Sequence, residues 1–397
     1  MLSTVLLDNL DVLFFLDRSY SSAKVLEMNH EQSVSEGKTK RLRGAGRGSR
    51  FMVLGRENYA KLRSIKSENL LNLTLAYLVL LAGTGADHRL TSWSAKACEE
   101  KIGIGRPRAT AAIVELINSG LVSVADDATP SRPRYVMEPP GDGPDQIFLP
   151  MQIVTGFQGE EPVLRRVRET GDFVLLKMLL DIYGSLQLDA AFSAPLSLVQ
   201  QLRKSPDESA QKVFERGVHN LWRLQLPDVW KVGAEWHKEV LELVGSSKAN
   251  NWSVYSALTT LINIGALKVE NWIYTSDKDD AEPLIPLWGG DDALQELYLL
   301  IDSAIEAFLG DEVYVQEKYA DDQLIFLPSH VSAPAVRGVI KPRIEADTPG
   351  RRRTYARKME QIGHFAQEMR LAQTNFSNGR YDRAISLLPA PKQVSNG

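Results

Sequence analysis

Cationic and small side chains that could contact phosphates or base edges are concentrated in one stretch of this 397-residue sequence. They are Arg106, Arg108, Thr110, Ala111, Arg132 and Arg134. Guanidinium groups make charge-assisted, often bidentate hydrogen bonds with phosphate oxygens and with guanine. The helix dipole favours anions near a helix N-terminus, so Arg106 and Arg108 in a first turn indicate that phosphates or guanine edges approach there. The alternative interpretation is a solvated basic face.

The surrounding sequence predicts two short helices, joined by a tight turn, that position these side chains. Ser94 is a candidate N-cap for the first helix, and Gly103 ends it because glycine accepts the left-handed conformation of a helix C-terminus. Ile104 is expected to enter the core within the turn. Gly105 then caps the second helix, and Pro107 falls in its first turn, where a missing N–H costs nothing.

The second helix has one apolar face, and a β-hairpin is expected to follow it. Its core positions recur at helical spacing: Ala109, Ala112, Ile113 and Leu116. Residues 121–124 have the β-branched character of a strand, 126–133 are rich in turn residues, and 134–137 can return as a second strand. The opposite face of the helix therefore carries the arginines.

This run resembles the winged helix-turn-helix domains of bacterial regulators and replication initiators, over roughly residues 69–137. In those domains a capped helix, an arginine-rich first turn and a terminal Gly-Leu-Val, here 120–122, are typical. The resemblance implies that the helix from Gly105 enters the DNA major groove and that a homodimer binds a palindromic site. The DNA-contacting residues that it implies are Arg106, Arg108, Thr110, Ala111, Arg132 and Arg134.

Residues 1–50 are predicted to form an N-terminal helix followed by a disordered basic arm. The arm mixes glycines with cations, a composition that cannot bury a core. Its candidate DNA-binding residues are Lys38, Lys40, Arg41 and Arg43. Such an arm can follow a phosphate backbone or enter a minor groove, and a plain solubilising linker is the alternative.

Two pairs of segments indicate that the second half of the chain repeats the first. Residues 112–122 share Ala, Leu, Ile, Asn and Gly at the same spacing with 257–267, and 145–150 resemble 322–328. The pairs predict two winged helices in tandem, with a chance match as the alternative. The second recognition helix, Asn251 to Ile264, carries no charge and so lacks the attraction to phosphate that dominates DNA affinity. Packing or contact with a protein partner is therefore expected there.

The expected fold class is mainly α with small β-wings, comprising tandem winged helix-turn-helix domains and a helical C-terminal region. The predicted segments are 1–50 (N-terminal helix and basic arm), 51–138 (first winged helix), 139–150 (linker), 151–290 (second winged helix with a helical insertion), 291–388 (helical C-terminal region) and 389–397 (disordered tail). Further helices are expected at 196–202 and, inside the insertion, around Val213, Val218, Leu221 and 240–244.

The sequence carries no signature of an enzyme. It lacks a phosphate loop of the Walker type, a dinucleotide fingerprint and a paired-histidine zinc motif. Its single cysteine, Cys98, excludes an internal disulfide and a multi-cysteine metal site. We therefore expect no catalysis, no cofactor, no metal, no membrane segment and a cytoplasmic location.

Sequence-specific binding of double-stranded DNA by a transcriptional regulator is the expected function. The formal net charge of −4 argues against a uniformly basic coat but not against a local basic site. One alternative is a replication-initiator or mobile-element protein that organises DNA with tandem winged helices. The other is a winged-helix subunit that serves as a scaffold in a larger complex.

Overall fold

The structure is a computed structural model of the chain. It describes residues 51–187, 192–205, 209–244, 254–278, 280–287, 292–309, 323–379 and 385–386. About 47% of it is helical and 24% is strand, and the described strands form four sheets. The fold is therefore mixed α/β, and the prediction of a mainly α chain with small β-wings is wrong.

Helices and strands are interspersed along the described chain. The elements up to residue 185 are β1 (Phe51–Gly55), α1 (Arg56–Ser64), α2 (Leu70–Ala82), β2 (Leu90–Thr91), α3 (Ala95–Ile102), α4 (Arg106–Asn118), β3 (Val122–Val124), β4 (Tyr135–Met137), a 3₁₀ turn (Gly143–Asp145), β5 (Gln146–Pro150), α5 (Gln152–Thr155), α6 (Val163–Thr170) and α7 (Phe173–Ser185). The later elements are β6 (Val199–Leu202), β7 (Ala210–Arg216), β8 (His219–Leu224), β9 (Val229–Val232), α8 (Ala234–Val244), α9 (Val254–Asn263), β10 (Leu267–Tyr274), β11 (Pro283–Leu287), α10 (Asp292–Leu309), β12 (Gln323–Pro328), β13 (Ala335–Pro342), α11 (Pro349–Ser377) and β14 (Ile385–Ser386).

All described strand pairs are antiparallel. β1 pairs with β5, with Val53 opposite Phe148. A three-stranded sheet has the order β2-β4-β3, and a five-stranded sheet has the order β11-β10-β13-β6-β9. The remaining sheet has the order β12-β8-β7-β14.

Of the helices predicted inside the insertion, the one at 240–244 is confirmed as the end of α8, and the others are not helices. Val213 lies in β7 and Leu221 in β8, and Val218 lies in the turn between them, next to Gly217 at φ 60°. The segment predicted as a helix at 196–202 likewise contains β6. Apolar runs this short do not distinguish helical from strand periodicity, so pairing with neighbouring strands decides their conformation.

The region predicted as a helical C-terminal part, 291–388, also contributes strands. Its helices α10 and α11 are present, but β13 pairs with β10 from Leu267 opposite Pro342 to Tyr274 opposite Ala335. The five-stranded sheet therefore spans the predicted boundary at residue 290. The segment predicted as a linker, 139–150, contains β5, because its strand-forming residues find a partner in β1.

Two parts of the chain share one order of elements: helix, strand, helix, helix, strand, strand. Repeat 1 comprises α2, β2, α3, α4, β3 and β4, and repeat 2 comprises α7, β6, α8, α9, β10 and β13. In each sheet the last of these strands lies between the other two, as β2-β4-β3 and as β6-β13-β10. Repeat 2 differs by two insertions, β7 to β9 before α8 and β11 to β12 before β13.

The helices α4 and α9 occupy equivalent places in the two repeats. Their buried residues have the same spacing: Ala109, Ala112, Ile113 and Leu116 in α4, and Val254, Ala257, Leu258 and Leu261 in α9. Each helix ends with a bond to the carbonyl five residues back, from Leu121 N to Leu116 O (3.2 Å) and from Ala266 N to Leu261 O (2.8 Å). The likeness of 112–122 to 257–267 therefore marks equivalent positions.

The second predicted likeness, between 145–150 and 322–328, does not mark equivalent positions. β5 precedes repeat 2 and pairs with β1. β12 lies in an insertion of repeat 2 and pairs with β8. The shared Ile-Phe-Leu-Pro pattern suits any strand with buried faces. This second likeness therefore does not support the predicted repeat.

An ionic network around the buried Lys177 joins α1 to the helices of repeat 2. Lys177 of α7 is 1% exposed, and its Nζ contacts Asp181 and lies 3.1 Å from Glu239 Oε1 of α8. Arg63 of α1 donates to the same Oε1 at 2.8 Å. Burial alone would raise the pKa of Glu239, but the hydrogen bonds from Lys177 and Arg63 hold that pKa below its ordinary value.

A second buried network joins β10, β13 and α11 around Glu270. Its Oε2 accepts hydrogen bonds from Lys341 Nζ (3.0 Å) and Trp272 Nε1 (2.9 Å), and Lys358 Nζ lies 3.6 Å from Oε1. Burial alone would raise the pKa of Glu270, but the charges of Lys341 and Lys358 lower it to about 2. The carboxylate is therefore ionised throughout the range in which the protein is expected to work.

Replacement of Glu270 by Gln should remove a pH-dependent part of the stability. Because the folded-state pKa is depressed from 4.5 to about 2, this part is fully present above about pH 4.5 and is lost as the pH falls through 2. Glu270→Gln should lower the free energy of unfolding by roughly 3 kcal/mol near neutral pH, with the difference shrinking below pH 4.5. Urea unfolding at a series of pH values measures it.

The matched control is Glu296→Gln. Glu296 makes an exposed ion pair with Arg370 at 2.8 Å, and such pairs contribute little. A difference between wild type and Glu270→Gln that stayed constant from neutral to strongly acidic pH would contradict the assigned role.

Candidate nucleic-acid interface

The turn between α3 and α4 has the conformation that its residues predict. Gly103 ends α3 in the left-handed region at φ 70°, and Ile104 N donates to Cys98 O at 3.2 Å. Ile104 is buried, as expected. Ser94 occupies the N-cap position of α3 with an extended backbone, but its side chain accepts no capping hydrogen bond.

The orientation of α4 follows from its apolar face. Gly105 is its N-cap, and Pro107 lies in its first turn, as predicted. The face with Ala109 and Leu116 packs against α2 and α3, which form the core of repeat 1. Four predicted DNA-contacting residues therefore lie on the exposed face: Arg106, Arg108, Thr110 and Ala111.

The two arginines of α4 differ in their surroundings. Arg106 Nε donates to Glu99 Oε2 at 2.6 Å across the turn, so its charge is partly compensated. Arg108 is exposed, and its side chain has no ion pair within the described part of the chain. Arg108 is therefore the cation of α4 that is most available to a phosphate.

The hairpin formed by β3 and β4 also carries one arginine with a carboxylate partner and one without such a partner among the described residues. Arg134 is half-buried and makes an ion pair with Asp127. Arg132 is exposed in the loop, where its backbone N–H donates to Thr129 O at 3.0 Å, and no described residue forms an ion pair with its side chain. The hairpin therefore offers one compensated and one available cation.

An apolar groove of about 490 Å³ lies between α4 and the β3–β4 hairpin. Thr110 and Arg134 line it together with Val114, Ile117 and Val124. Val114 is 50% exposed and Val124 is 55% exposed, although both are apolar. Exposed apolar side chains that share a groove are a common feature of binding surfaces.

The sequence analysis did not predict Val114 and Val124 as residues of the binding surface. Val114 follows Thr110 by one helical turn, so helical spacing alone places it on the same face. The helical spacing of Val114 therefore indicates its place on this face, whereas the pattern of charged residues does not. For Val124, the strand pattern does not show which of its faces lines the groove.

The helix α6 brings further arginines to the turn between α3 and α4. A Cβ at Gly103 would lie 3.2 Å from Arg168 Nη2 and 3.6 Å from Arg165 Nε. Arg165 Nε lies 2.8 Å from Glu161, and Arg168 Nη2 lies 3.9 Å from Glu169. These arginines were also missed, because their sequence neighbours place them on an ordinary amphipathic helix.

The corresponding face of repeat 2 is uncharged. On α9, Tyr255, Ser256 and Thr259 are exposed at the places that Thr110, Ala111 and Val114 take on α4. The first residues of the predicted helix, 251–253, lie outside the described residues. Hydroxyl groups can contact base edges or protein partners, so this face alone does not choose between the two.

The remaining predictions from the sequence concern the N-terminal basic arm, metal sites and membrane segments. The candidate DNA-binding residues of the arm lie outside the described residues: Lys38, Lys40, Arg41 and Arg43. Within the described ranges, no cluster of three or more His, Cys, Asp and Glu side chains is placed to hold a metal ion. Among the described helices, none combines the length and the apolar composition that crossing a bilayer requires.

No protein-family model, no curated protein and no solved structure matches this chain. Its function must therefore follow from the geometry and charge of its own residues.

The thiol of Cys98 reports on the integrity of this region. Its side chain is fully buried, and burial raises its pKa to about 12. The thiolate is the reactive species, so Ellman's reagent should label the native protein only as α3 opens. Ile102→Ala, which creates a cavity beside α3, should accelerate labelling by roughly tenfold or more, since large-to-small core changes cost about 2–5 kcal/mol.

The control for this experiment is Lys96→Ala, a change at the surface of the same helix that should leave the labelling rate unchanged. Full and rapid labelling is expected once denaturant unfolds the chain. Equal labelling rates in native and denaturing buffer would show that Cys98 is not buried in solution.

Proposed function

We propose that this protein binds double-stranded DNA through α4 and the β3–β4 hairpin. The observation that carries the proposal is the pair of exposed arginines on the two elements that form one groove, Arg108 on the helix and Arg132 on the hairpin. Within the described part of the chain neither has an ion pair, and the groove between the two elements is apolar. Phosphate contacts position such a module, and groove contacts read the bases.

In this proposal α4 enters the major groove with its N-terminal half. Arg108 and Arg132 contact phosphates, while Thr110, Ala111 and Val114 face the base edges. Methyl groups of Thr, Ala and Val suit the C5-methyl of thymine, so the preferred sites contain A·T pairs. Arg106 and Arg134 exchange their exposed carboxylate partners for phosphates when DNA arrives, because exposed ion pairs contribute little to stability.

The order of elements in repeat 1 supports this proposal. A helix, a short strand, two helices and a two-stranded hairpin, with the last strand in the middle of the sheet, match the layout that a winged helix-turn-helix requires. A transcriptional regulator is the first candidate role.

A salt series with duplex DNA of random sequence tests the proposal. Arg108→Ala/Arg132→Ala removes two phosphate contacts, so the slope of log affinity against log salt should become shallower by about two. Affinity at low salt should fall by about a hundredfold or more, since each of the two charge-assisted hydrogen bonds contributes roughly 1.5 kcal/mol or more. Fluorescence anisotropy measures both quantities.

The matched control is Lys238→Ala/Arg370→Ala, which removes the same charge from exposed positions outside α4 and the β3–β4 hairpin. It should keep the wild-type slope. The proposal is wrong if the wild type binds no DNA at low salt, or if both double variants behave alike. In the first case the exposed valines point to a protein partner.

A protein that organises DNA for replication or for a mobile element is the second candidate. The duplicated order of elements favours it, because repeats 1 and 2 give one chain two potential DNA-contacting modules. Selection from a random DNA pool distinguishes the roles. A regulator acting as a homodimer should recover palindromic sites, whereas two modules in one chain should recover paired, non-palindromic half-sites bound by a monomer.

Sedimentation of the complex with the selected DNA gives the number of chains per site. A palindrome bound by two chains would exclude the second candidate, and a non-palindromic site bound by one chain would exclude the first.

A further inference from the structure

A small polar cavity lies at one end of the five-stranded sheet in repeat 2. Its volume is about 200 Å³. The residues that line it come from β6, β9 and β13 and from the segments that precede β7 and follow β10: Gln200, Leu202, Arg203, Ser209, Lys231, Asp277, Ala335, Val336 and Arg337. None of them lines the groove between α4 and the hairpin, so the cavity is separate from the proposed DNA-binding surface.

The register of the sheet places three polar side chains of the cavity on one face. Gln200 of β6 lies opposite Lys231 of β9 and opposite Val339 of β13. Arg337 precedes Val339 by two residues, so its side chain leaves the sheet on the same side. Gln200, Lys231 and Arg337 therefore converge from three neighbouring strands.

Arg337 is a buried cation whose charge is incompletely compensated. It is 5% exposed, its Nη2 donates to Lys278 O at 2.7 Å, and its guanidinium lies 5.0 Å from the centre of the Tyr274 ring. Its Nη1 is buried and has no hydrogen-bond partner. Within the described chain no carboxylate lies at ion-pair distance from it. A buried charge without an anionic partner is strongly destabilising.

Among the described residues that line the cavity, cations outnumber acids. Arg203 is paired with Asp228 at 3.0 Å, and Asp277 is exposed at the rim. Lys231 is exposed at the rim, and no described residue forms an ion pair with it. After the Arg203–Asp228 pair is set aside, Lys231 and Arg337 oppose Asp277, which leaves one positive charge in excess among these described lining residues.

We propose that this cavity binds a phosphate-type oxyanion, either inorganic phosphate or the phosphate of a small phosphomonoester. Arg337 and Lys231 bind its charged oxygens, since a guanidinium fork and an ammonium are the side chains that recognise phosphate best. Gln200 and Ser209 are buried and supply further polar contacts. The cavity is smaller than the roughly 300–1,000 Å³ typical of sites for drug-sized ligands, which favours a small ion.

Titration of the full-length protein with inorganic phosphate, followed by ³¹P NMR and by calorimetry at constant ionic strength, tests the proposal. We expect saturable binding of one phosphate per chain. Lys231→Ala, at the exposed rim, should weaken phosphate affinity by about tenfold, as expected for loss of one charge-assisted hydrogen bond. Arg337→Lys keeps the charge but loses the fork of donors, and it should weaken affinity at least as much.

Lys268→Ala is the matched control, because Lys268 is an exposed lysine of the same sheet that does not line the cavity. It should bind phosphate as the wild type does. Lys231 is at the surface, so its variant keeps the test decisive if Arg337→Lys does not fold. Phosphate also stabilises proteins in general by exclusion from their surface, but that effect does not saturate and would be equal in all variants.

The same titration with adenosine monophosphate identifies the source of the phosphate. Equal affinity for phosphate and the nucleotide indicates a site for the free ion, and tighter binding of the nucleotide indicates a phosphomonoester ligand. The proposal is overturned if the wild type shows no saturable phosphate binding, or if Lys231→Ala and Lys268→Ala bind phosphate equally.

Discussion

The burial of one face of α4 is the constraint on which the rest of repeat 1 depends. Ala109, Ala112, Ile113 and Leu116 must all leave water together, which fixes the rotation of the helix against α2 and α3. Once that rotation is fixed, the opposite face of the helix is exposed, and this face carries Arg108, Thr110 and Val114. The left-handed Gly103 sets the angle at which α4 begins, so the exposed side chains and the hairpin form one groove. The surface chemistry is thus a consequence of core packing.

Charge compensation decides which of the outward cations are available. Arg106 and Arg134 have carboxylate partners in Glu99 and Asp127, whereas within the described chain Arg108 and Arg132 have none. An exposed ion pair contributes at most about 1 kcal/mol, so a phosphate can displace either carboxylate at little cost. The chain as a whole carries a formal charge of −4, and this net charge opposes indiscriminate binding to DNA. Binding would then depend on local fit in the groove.

Sequence patterns predicted local structure well where a helix has a clear apolar face and marked ends. The turn at Gly103 and the core positions of α4 followed from spacing and from glycine chemistry. The strands β6 to β8 did not, because runs such as Val213-Phe214 fit either period and only their pairing partners decide. The side chains of Arg337 and Lys231 lie far apart in sequence, and no local pattern connects them. Their proximity depends on the register of β13, β6 and β9.

The inserted strands account for part of the difference in surface chemistry between the two repeats. Repeat 1 has a sheet of only three short strands, and its available cations lie on α4 and the hairpin. In repeat 2 the exposed face of α9 is uncharged, whereas the inserted β9 adds Lys231 beside β6 and completes a cationic cavity. The inserted β9 therefore supplies part of the proposed phosphate site, and repeat 1 has no equivalent of it. Under the two proposals, one shared order of elements carries two different sites for anions in a single chain.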